Sequence, residues 1–423
     1  MSAAAEPMAL TLDAAIELAV KQNLDVELAR QRLATFQSYY RQAVAAAIPD
    51  VNLSASYTRN FIKPSFFLMD QKIQAGGLNS MRHAATLEQT IYSGGILSSG
   101  IKATRTGIAA GEEDVRSARA DVALAVRNFF YTVFLASETA SIQSDTLASA
   151  EDHLRTIEER YRQGLDSDLV VLRQKVEVAN ARPALIAARN ADELAKVLLK
   201  DTLGIDVDAP IRLLGGLEPP KARLLPYDKL QELALANNPD YQAALQRVQQ
   251  SDAMVRVAKG LGMPQVSVYA DYQWYSESDD AWPGSMQRAT SSAGGLRLRY
   301  PLFTGGDLTE RAAQARTAYE QAATLSSKIQ RSIRVQVKQA WLSAQEAADR
   351  AFSQESNIGQ ARRALEATEV RYREGQSSQL ELTDTTLALL QARLLYAVAL
   401  HDYRSDIAAL ERAVGAPAEE AVR

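Results

Sequence analysis

Pro49-Asp50-Val51-Asn52-Leu53-Ser54-Ala55-Ser56-Tyr57 returns 215 positions later as Pro264-Gln265-Val266-Ser267-Val268-Tyr269-Ala270-Asp271-Tyr272. In both copies a proline opens a run in which apolar and polar residues alternate, the period of a strand with one apolar and one polar face. Upstream, Asp13, Glu17, Leu18, Ala19, Asn23 and Asp25 recur at the same offset as Asp228, Glu232, Leu233, Ala234, Asn238 and Asp240. Downstream the offset is 211: Gly94 and Gly95 match Gly305 and Gly306, and Arg160, Tyr161, Arg162 and Gly164 match Arg371, Tyr372, Arg373 and Gly375. One connection between Tyr57 and Gly94 therefore differs in length, while the elements around it keep their order. The repeat unit is a half-protein. It divides the chain into 1–217 and 218–423, with a seam in the Pro- and Gly-containing stretch Asp206 to Pro226.

Each half reads the same way. Leu12 to Ile48 is rich in Ala, Leu, Glu, Gln and Arg, a helical pattern that stops before Pro49. The alternating strands have downstream partners, Ala85, Leu87 and Ile91 in the first half and Leu296, Leu298, Tyr300 and Leu302 in the second. This predicts one hairpin in about 50–92 and another in about 265–303. After the glycine pairs, Ile96 to Arg162 and Asp307 to Arg373 contain no proline. Each could form one helix about 100 Å long. Leu169 to Leu203 and Leu380 to Val414 follow as returning helices, and Gly164 and Gly375 suit the reversals between them. Pro183 stands where the second half has Leu394, so a kink or break is expected on one side only. Gly94-Gly95 and Gly305-Gly306 lack the Lys and spacing of a phosphate loop and read as strand-to-helix bends.

Composition narrows the classes. Net charge is −4, which gives no nucleic-acid footprint. There is no cysteine, hence no disulfide, no thiolate chemistry and no Cys-based metal site. No run of 18 apolar residues exists, and even Leu387 to Leu400 contains Gln391 and Arg393, so no transmembrane helix is expected. Met1 to Pro7 carries no hydrophobic signal region, which fits either a cytosolic protein or a mature chain. His83, His153 and His401 lack metal-ligand spacing, and no nucleophile, base or metal cluster points to an enzyme or a cofactor.

The strands pose a physical problem. A sheet that turns its apolar face to lipid must close, because an open edge leaves backbone groups unpaired in hydrocarbon. Four strands cannot close, and single-chain barrels begin at about eight. The fold class expected from the residues is therefore mixed α and β, with four strands per chain that must be pooled with those of further copies; a trimer would give twelve strands and twelve helical rods.

The half-repeat, the Asn238-Pro239-Asp240 break after a short helix, the Pro49 and Pro264 strand starts, Tyr300-Pro301-Leu302-Phe303-Thr304-Gly305-Gly306 and the two Tyr-x-x-Gly turns together resemble the TolC family of outer membrane efflux proteins, over roughly Leu10 to Gly415. The resemblance implies a long α-helical barrel plus a transmembrane β-barrel completed by homotrimerisation, a trimeric outer membrane channel in a Gram-negative bacterium with an α-helical tunnel across the periplasm. It also implies a closed periplasmic tip opened by an adaptor (membrane fusion) protein coupled to an inner-membrane pump. Family acids three residues apart beyond the second turn fall on Glu381 and Asp384, where three-fold symmetry would stack two carboxylate rings that attract cations. Ser378-Gln379-Leu380-Glu381 is also a capping-box pattern, which gives Glu381 a purely structural reading. Of the family's closed-state latch, Tyr372 is present, but Ser377 replaces the Arg and Val170 the acid. Asp166, Asp168, Arg371 and Arg373 are the candidate substitutes. The turns at Gly164, Leu165, Gly375 and Gln376 match the family's adaptor-contact positions.

Glu88, Asp271, Arg297 and Arg299 fall on the polar strand face, where solvated lumen lining is the simple reading and tuned selectivity the sharper one. Trp274, Tyr275 and Trp282 suggest an interfacial aromatic belt. Phe66, Phe67, Leu68 and Met69 are too apolar for a free loop unless they pack on a rim or a neighbour. The alternative of another class is a soluble, extended helical-bundle scaffold without a pore, which leaves the apolar hairpin faces without a role.

Overall fold

The computed structural model describes residues 8–63, 65–74, 76–219, 224–279 and 287–416. Trp282 and the opening heptapeptide lie outside them. The helices and the two long strands of each half follow one order twice; β3 and β4 have no counterpart among the described residues of the second half. The first half contains β1 (Met8–Leu10), α1 (Leu12–Gln22), α2 (Leu24–Ala45), β2 (Asp50–Arg59), β3 (Ser65–Leu68), β4 (Gln71–Gln74), β5 (Asn79–Tyr92), α3 (Ile96–Arg162) and α4 (Asp168–Leu203). β6 (Ile211–Leu213) lies at the seam, and the second half contains α5 (Tyr227–Asn237), α6 (Pro239–Gly260), β7 (Gln265–Ser278), β8 (Gln287–Arg299), α7 (Asp307–Arg373) and α8 (Gln379–Val414). Paired helices have equal lengths: α1 and α5 have 11 residues, α2 and α6 22, α3 and α7 67, α4 and α8 36.

The helical pattern predicted from Leu12 to Ile48 is interrupted at Asn23. Its side chain accepts from the Asp25 amide at 2.8 Å and donates to the Thr202 carbonyl at 3.5 Å. Asn238 repeats this, accepting from Asp240 and Tyr241 and donating to the Ala413 carbonyl at 2.9 Å. One asparagine thus starts a new helix and ties it to the end of a long one. Pro183 produces no break: α4 continues through it. Ala179 and Pro183 are both exposed, so the carbonyl that loses its partner there can turn to water.

The chain forms two compact units. The first comprises residues 1–32, 112–243 and 327–423. Its apolar interior is duplicated. Ala15, Ala19, Val122, Val126, Phe130, Leu199 and Leu203 form one cluster; their repeat partners Leu230, Ala234, Ile333, Val337, Leu410 and Val414 form the other, with Trp341 in the place of Phe130. The Trp341 indole donates to the Leu225 carbonyl at 3.1 Å, which satisfies its polar edge. β1 and β6 pair in parallel beside the first cluster, a contact the sequence pattern did not reveal.

Polar ties join helices within this unit. Arg412 donates to Asp121 at 2.6 Å and to Asp240 and Ser117 at 2.9 Å. Asp406 is less well served. Burial and the neighbouring Asp402 push its carboxyl up to about 6, with Arg350 opposing, Glu346 adding and His401 opposing. Its folded pKa lies above the unfolded value of about 3.9, so the fold is favoured at low pH and loses that advantage as pH rises through about 6. Asp406→Asn is therefore expected to raise the thermal midpoint by a few degrees at pH 7.5 and to leave it unchanged at pH 4, followed by circular dichroism in detergent. An equal gain at both pH values would rule out a charge origin.

The second unit comprises residues 33–111 and 244–326. Its main sheet has the order β2-β5-β7-β8, antiparallel throughout, so β5 pairs with β7 across the two halves and β2 and β8 form open edges. The register puts Val51, Leu53, Ala55 and Tyr57 in rows with Leu87, Ala85, His83 and Met81, and Ala270, Tyr272 and Trp274 continue the first three. Leu296 and Leu298 lie on the same face beyond Val268 and Val266. The opposite face carries Asn52, Thr86, Glu88, Tyr269, Asp271 and Arg297. There Arg297 meets Glu88 at 3.2 Å and lies 4.7 Å from the centre of the Tyr269 ring.

Trp274 and Tyr272 lie on the apolar face, where His83 stacks on Trp274 at 4.7 Å. Strand alternation puts Tyr275 on the other face, so of the described residues expected in an aromatic belt Trp274 alone lies on the apolar face, beside Tyr272. Strand β8 stops at Arg299 because Pro301 cannot extend the ladder; Tyr300, Leu302 and Phe303 are exposed beyond it. Gly94 and Gly95 have φ of 61° and 87° and Gly305 and Gly306 62° and 90°, so both pairs turn the chain from strand to helix in left-handed geometry. At Gly94 a Cβ would also lie 2.3 Å from that of Met263.

Candidate functional site

The two reversals of the long helices are built alike. The Gly164 amide donates to the Tyr161 carbonyl at 2.9 Å and the Leu165 amide to the Arg160 carbonyl at 2.9 Å. Gly375 and Gln376 repeat these bonds to Tyr372 and Arg371 at 3.0 and 2.8 Å. This double closure of a helix end needs a left-handed residue, and both glycines have φ of 75°. Leu165 and Gln376 are exposed beside them.

The side chains at these turns form two charged ties. Asp166 accepts from Arg160 Nε at 2.9 Å and from the Tyr372 hydroxyl at 3.4 Å, and the Arg160 guanidinium lies 5.3 Å from the centre of the Tyr372 ring. Asp166 thus links α3 to α7. Tyr372 is 6% exposed and packs among Ile157, Val171 and Leu382. Burial, reinforced by Asp166, pushes its phenol above the usual value, so it stays a protonated donor. At the second turn Glu381 accepts from Ser377 Oγ at 2.6 Å and meets Arg371 at 3.4 Å. Ser378 Oγ accepts from the Glu381 amide at 3.2 Å and caps α8. The Glu381 carboxylate therefore serves Ser377 and Arg371, while its amide serves the cap.

The repeat explains this pairing. Asp166 corresponds to Ser377 and Val170 to Glu381, so each turn has one acid for the Arg of its Arg-Tyr-Arg sequence, at alternative positions. Val170 packs against the small core around Tyr372. The remaining candidates are not drawn in. Asp168 and Asp384 are exposed, and neither makes an ion pair or hydrogen bond among the described residues. Among the described residues the Arg373 side chain meets only Glu369, at 3.9 Å. Two residues that the sequence did not mark complete the site. Arg160 appeared only as a repeat marker. Gln174, 5% exposed, donates to the Ala150 carbonyl at 3.0 Å and accepts from Gln379 at 3.1 Å, bridging α3, α4 and α8. Its one signal is a polar residue between the buried positions Val171 and Val178.

Long antiparallel helix pairs with closed polar turns, in one chain with an open-edged sheet apolar on one face, define a channel-type fold, not a catalytic one. No helix among the described residues is long and apolar enough to cross a membrane. The chain belongs to the outer membrane efflux protein family, whose profile matches residues 15–204 and 230–416. This places it in the outer membrane of a Gram-negative cell and sets aside the soluble scaffold.

Among curated relatives it is 22% identical to the cobalt-zinc-cadmium resistance protein CzcC of Cupriavidus metallidurans over 409 residues, 96% of this chain and 90% of that one. Two solved structures share the fold. The outer membrane protein VceC of Vibrio cholerae has a TM-score of 0.82 at 21% identity, covering 96% of both chains. The CmeC outer membrane channel of Campylobacter jejuni has a TM-score of 0.81 at 17% identity, covering 96% of this chain and 85% of that one.

Proposed function

We propose that three copies of this chain form the exit duct of a tripartite efflux assembly, in which a periplasmic adaptor and an inner-membrane pump deliver substrate to the turns at Gly164 and Gly375. The observation that carries the reading is the sheet: one apolar face, two unpaired edges and too few strands to close. Pairing β2 of one copy with β8 of the next satisfies the edges and completes a lipid-facing barrel of about twelve strands. Exposed apolar residues on α4, Leu169, Leu172, Val176, Ile186 and Leu194, supply a matching surface for a neighbouring copy along the helices.

In this reading the tie of Asp166, Arg160 and Tyr372 holds two helix pairs together and keeps the tip narrow. Asp384, free of partners among the described residues, is the stronger candidate for a carboxylate ring that disfavours anions; Glu381 contributes less because Arg371 lies against it. Arg373 and Asp168 remain available to a neighbouring copy or the adaptor. Leu165 and Gln376, exposed beside the glycines, form the adaptor contact.

Cross-linking across the shared seam tests the assembly. Ser54 on β2 and Ser291 on β8 lie in one row of the sheet, about 14 Å apart within a chain at the usual strand spacing. The chain has no cysteine. Because the strands of a closed barrel are staggered, Ser291→Cys is paired in turn with a cysteine at Asn52, Ser54, Ser56 or Thr58; treated with a bis-maleimide that reaches about 10 Å, one of these pairs should give dimers and closed trimers and nothing larger. A chain that stays monomeric and monodisperse in plain buffer would refute the proposal.

A further inference from the structure

Beyond the main sheet, β3 and β4 form a separate two-stranded ribbon within the connection from β2 to β5, with Phe66 opposite Ile73 and Phe67 opposite Lys72. Its base is held. Asn60 donates to the Leu78 carbonyl at 2.7 Å, the Leu78 amide donates to Asp279 at 3.3 Å, and Lys63 pairs with Asp279. The rest of the ribbon is uncovered: Phe61 is 92% exposed, Phe67 74% and Met69 94%, and Ile62, Phe66 and Leu68 are also exposed. Together they present an apolar surface on the order of several hundred Å², a size that marks interaction sites on folded proteins. The turn is strained as well. Met69 and Asp70 have φ of 48° and 60° and are the only non-glycine residues with positive φ among those described. Side chains at such positions crowd the backbone and persist where something holds them.

Lipid does not cover this surface in the proposed barrel. Tyr57, His83, Tyr272 and Trp274 mark one end of the apolar sheet face, as an interfacial belt does. Phe61 follows Tyr57 by four residues, about 13 Å farther along an extended chain, beyond the hydrocarbon. What stands beside the ribbon is set by topology. It follows β2, the edge strand that awaits the neighbour's β8, so it rises at the seam between two copies.

We infer that the β3–β4 ribbon is an intersubunit clasp, whose apolar side packs on the adjacent copy of this chain at the outer rim of the shared barrel. The inference rests on the trimeric reading above and extends its interface past the membrane. It accounts for an apolar segment that a free surface loop does not need, and for a turn that carries a methionine where glycine or asparagine is the usual choice.

Photocrosslinking in intact outer membranes tests it. With Phe67 replaced by p-benzoylphenylalanine, irradiation should give a band at twice the chain mass whose cross-linked peptides come from two copies. A paired Phe67→Ser, Met69→Ser variant should still form trimers, but these should dissociate about 5 °C lower in detergent. Adducts only to lipid, to another protein or within one chain, or an unchanged dissociation temperature, would overturn the clasp. The cysteine pairs on β2 and β8 separate the two claims: if one of them still yields trimers, only the clasp fails; if none does, the shared barrel fails and the clasp with it.

Discussion

Replacing Gly164 with leucine is expected to abolish export in a complementation assay while the protein remains a folded trimer in the outer membrane. The structure separates these outcomes. Gly164 has φ of 75°, so any side chain there strains the backbone by about 1–2 kcal/mol, which a chain of this size absorbs. A Cβ at this position meets nothing within 4 Å, so the substitution displaces no neighbour. It does place a bulky group at the outermost point of the reversal, beside exposed Leu165, where the adaptor is proposed to seat. Wild-type export from Gly164→Leu at normal abundance would exclude an adaptor contact at this turn. Loss of trimer would show instead that the turn matters for folding.

Asp166→Ala should raise single-channel conductance in planar bilayers by an order of magnitude. Asp166 is the one acceptor shared by Arg160 and Tyr372. Arg160 and Asp166 retain 21% and 12% side-chain exposure, so removing the acid leaves a largely shielded guanidinium against the Tyr372 ring with a long 3.5 Å bond to the Arg373 carbonyl. A loss of about 2 kcal/mol from the closed arrangement shifts a two-state tip roughly thirtyfold toward the open one. Asp168→Asn is the comparison for ties within one chain, since Asp168 is exposed and makes no tie among the described residues. Equal conductance of Asp166→Ala and the unsubstituted protein would show that this tie does not hold the tip.

The comparison of Asp166 with Asp168 shows where sequence reading stops. Both acids stand within four residues of Gly164, and the pattern offered no way to choose between them. The choice depends on which one the turn aims at Tyr372, a residue 206 positions away. Arg160 was legible only as a repeat marker because its role depends on the same fold-back. Glu381 was ambiguous between cap and gate. The structure divides the residue, with its amide at the cap and its carboxylate on Ser377 and Arg371.

The duplication, the helix lengths, the glycine reversals and the two-faced strands are properties of neighbours along the chain, and local sequence suffices for them because backbone geometry and side-chain period act over a few residues. The pairing of β5 with β7, the parallel contact of β1 with β6, the break at Asn23 and the tie around Asp166 join residues far apart in sequence. Such contacts form only once packing has brought their partners together, and many pairings of the same residue types satisfy the local rules equally well. Tertiary structure selects one of them because buried polar groups must find specific acceptors at hydrogen-bond distance, a demand that no periodic pattern encodes.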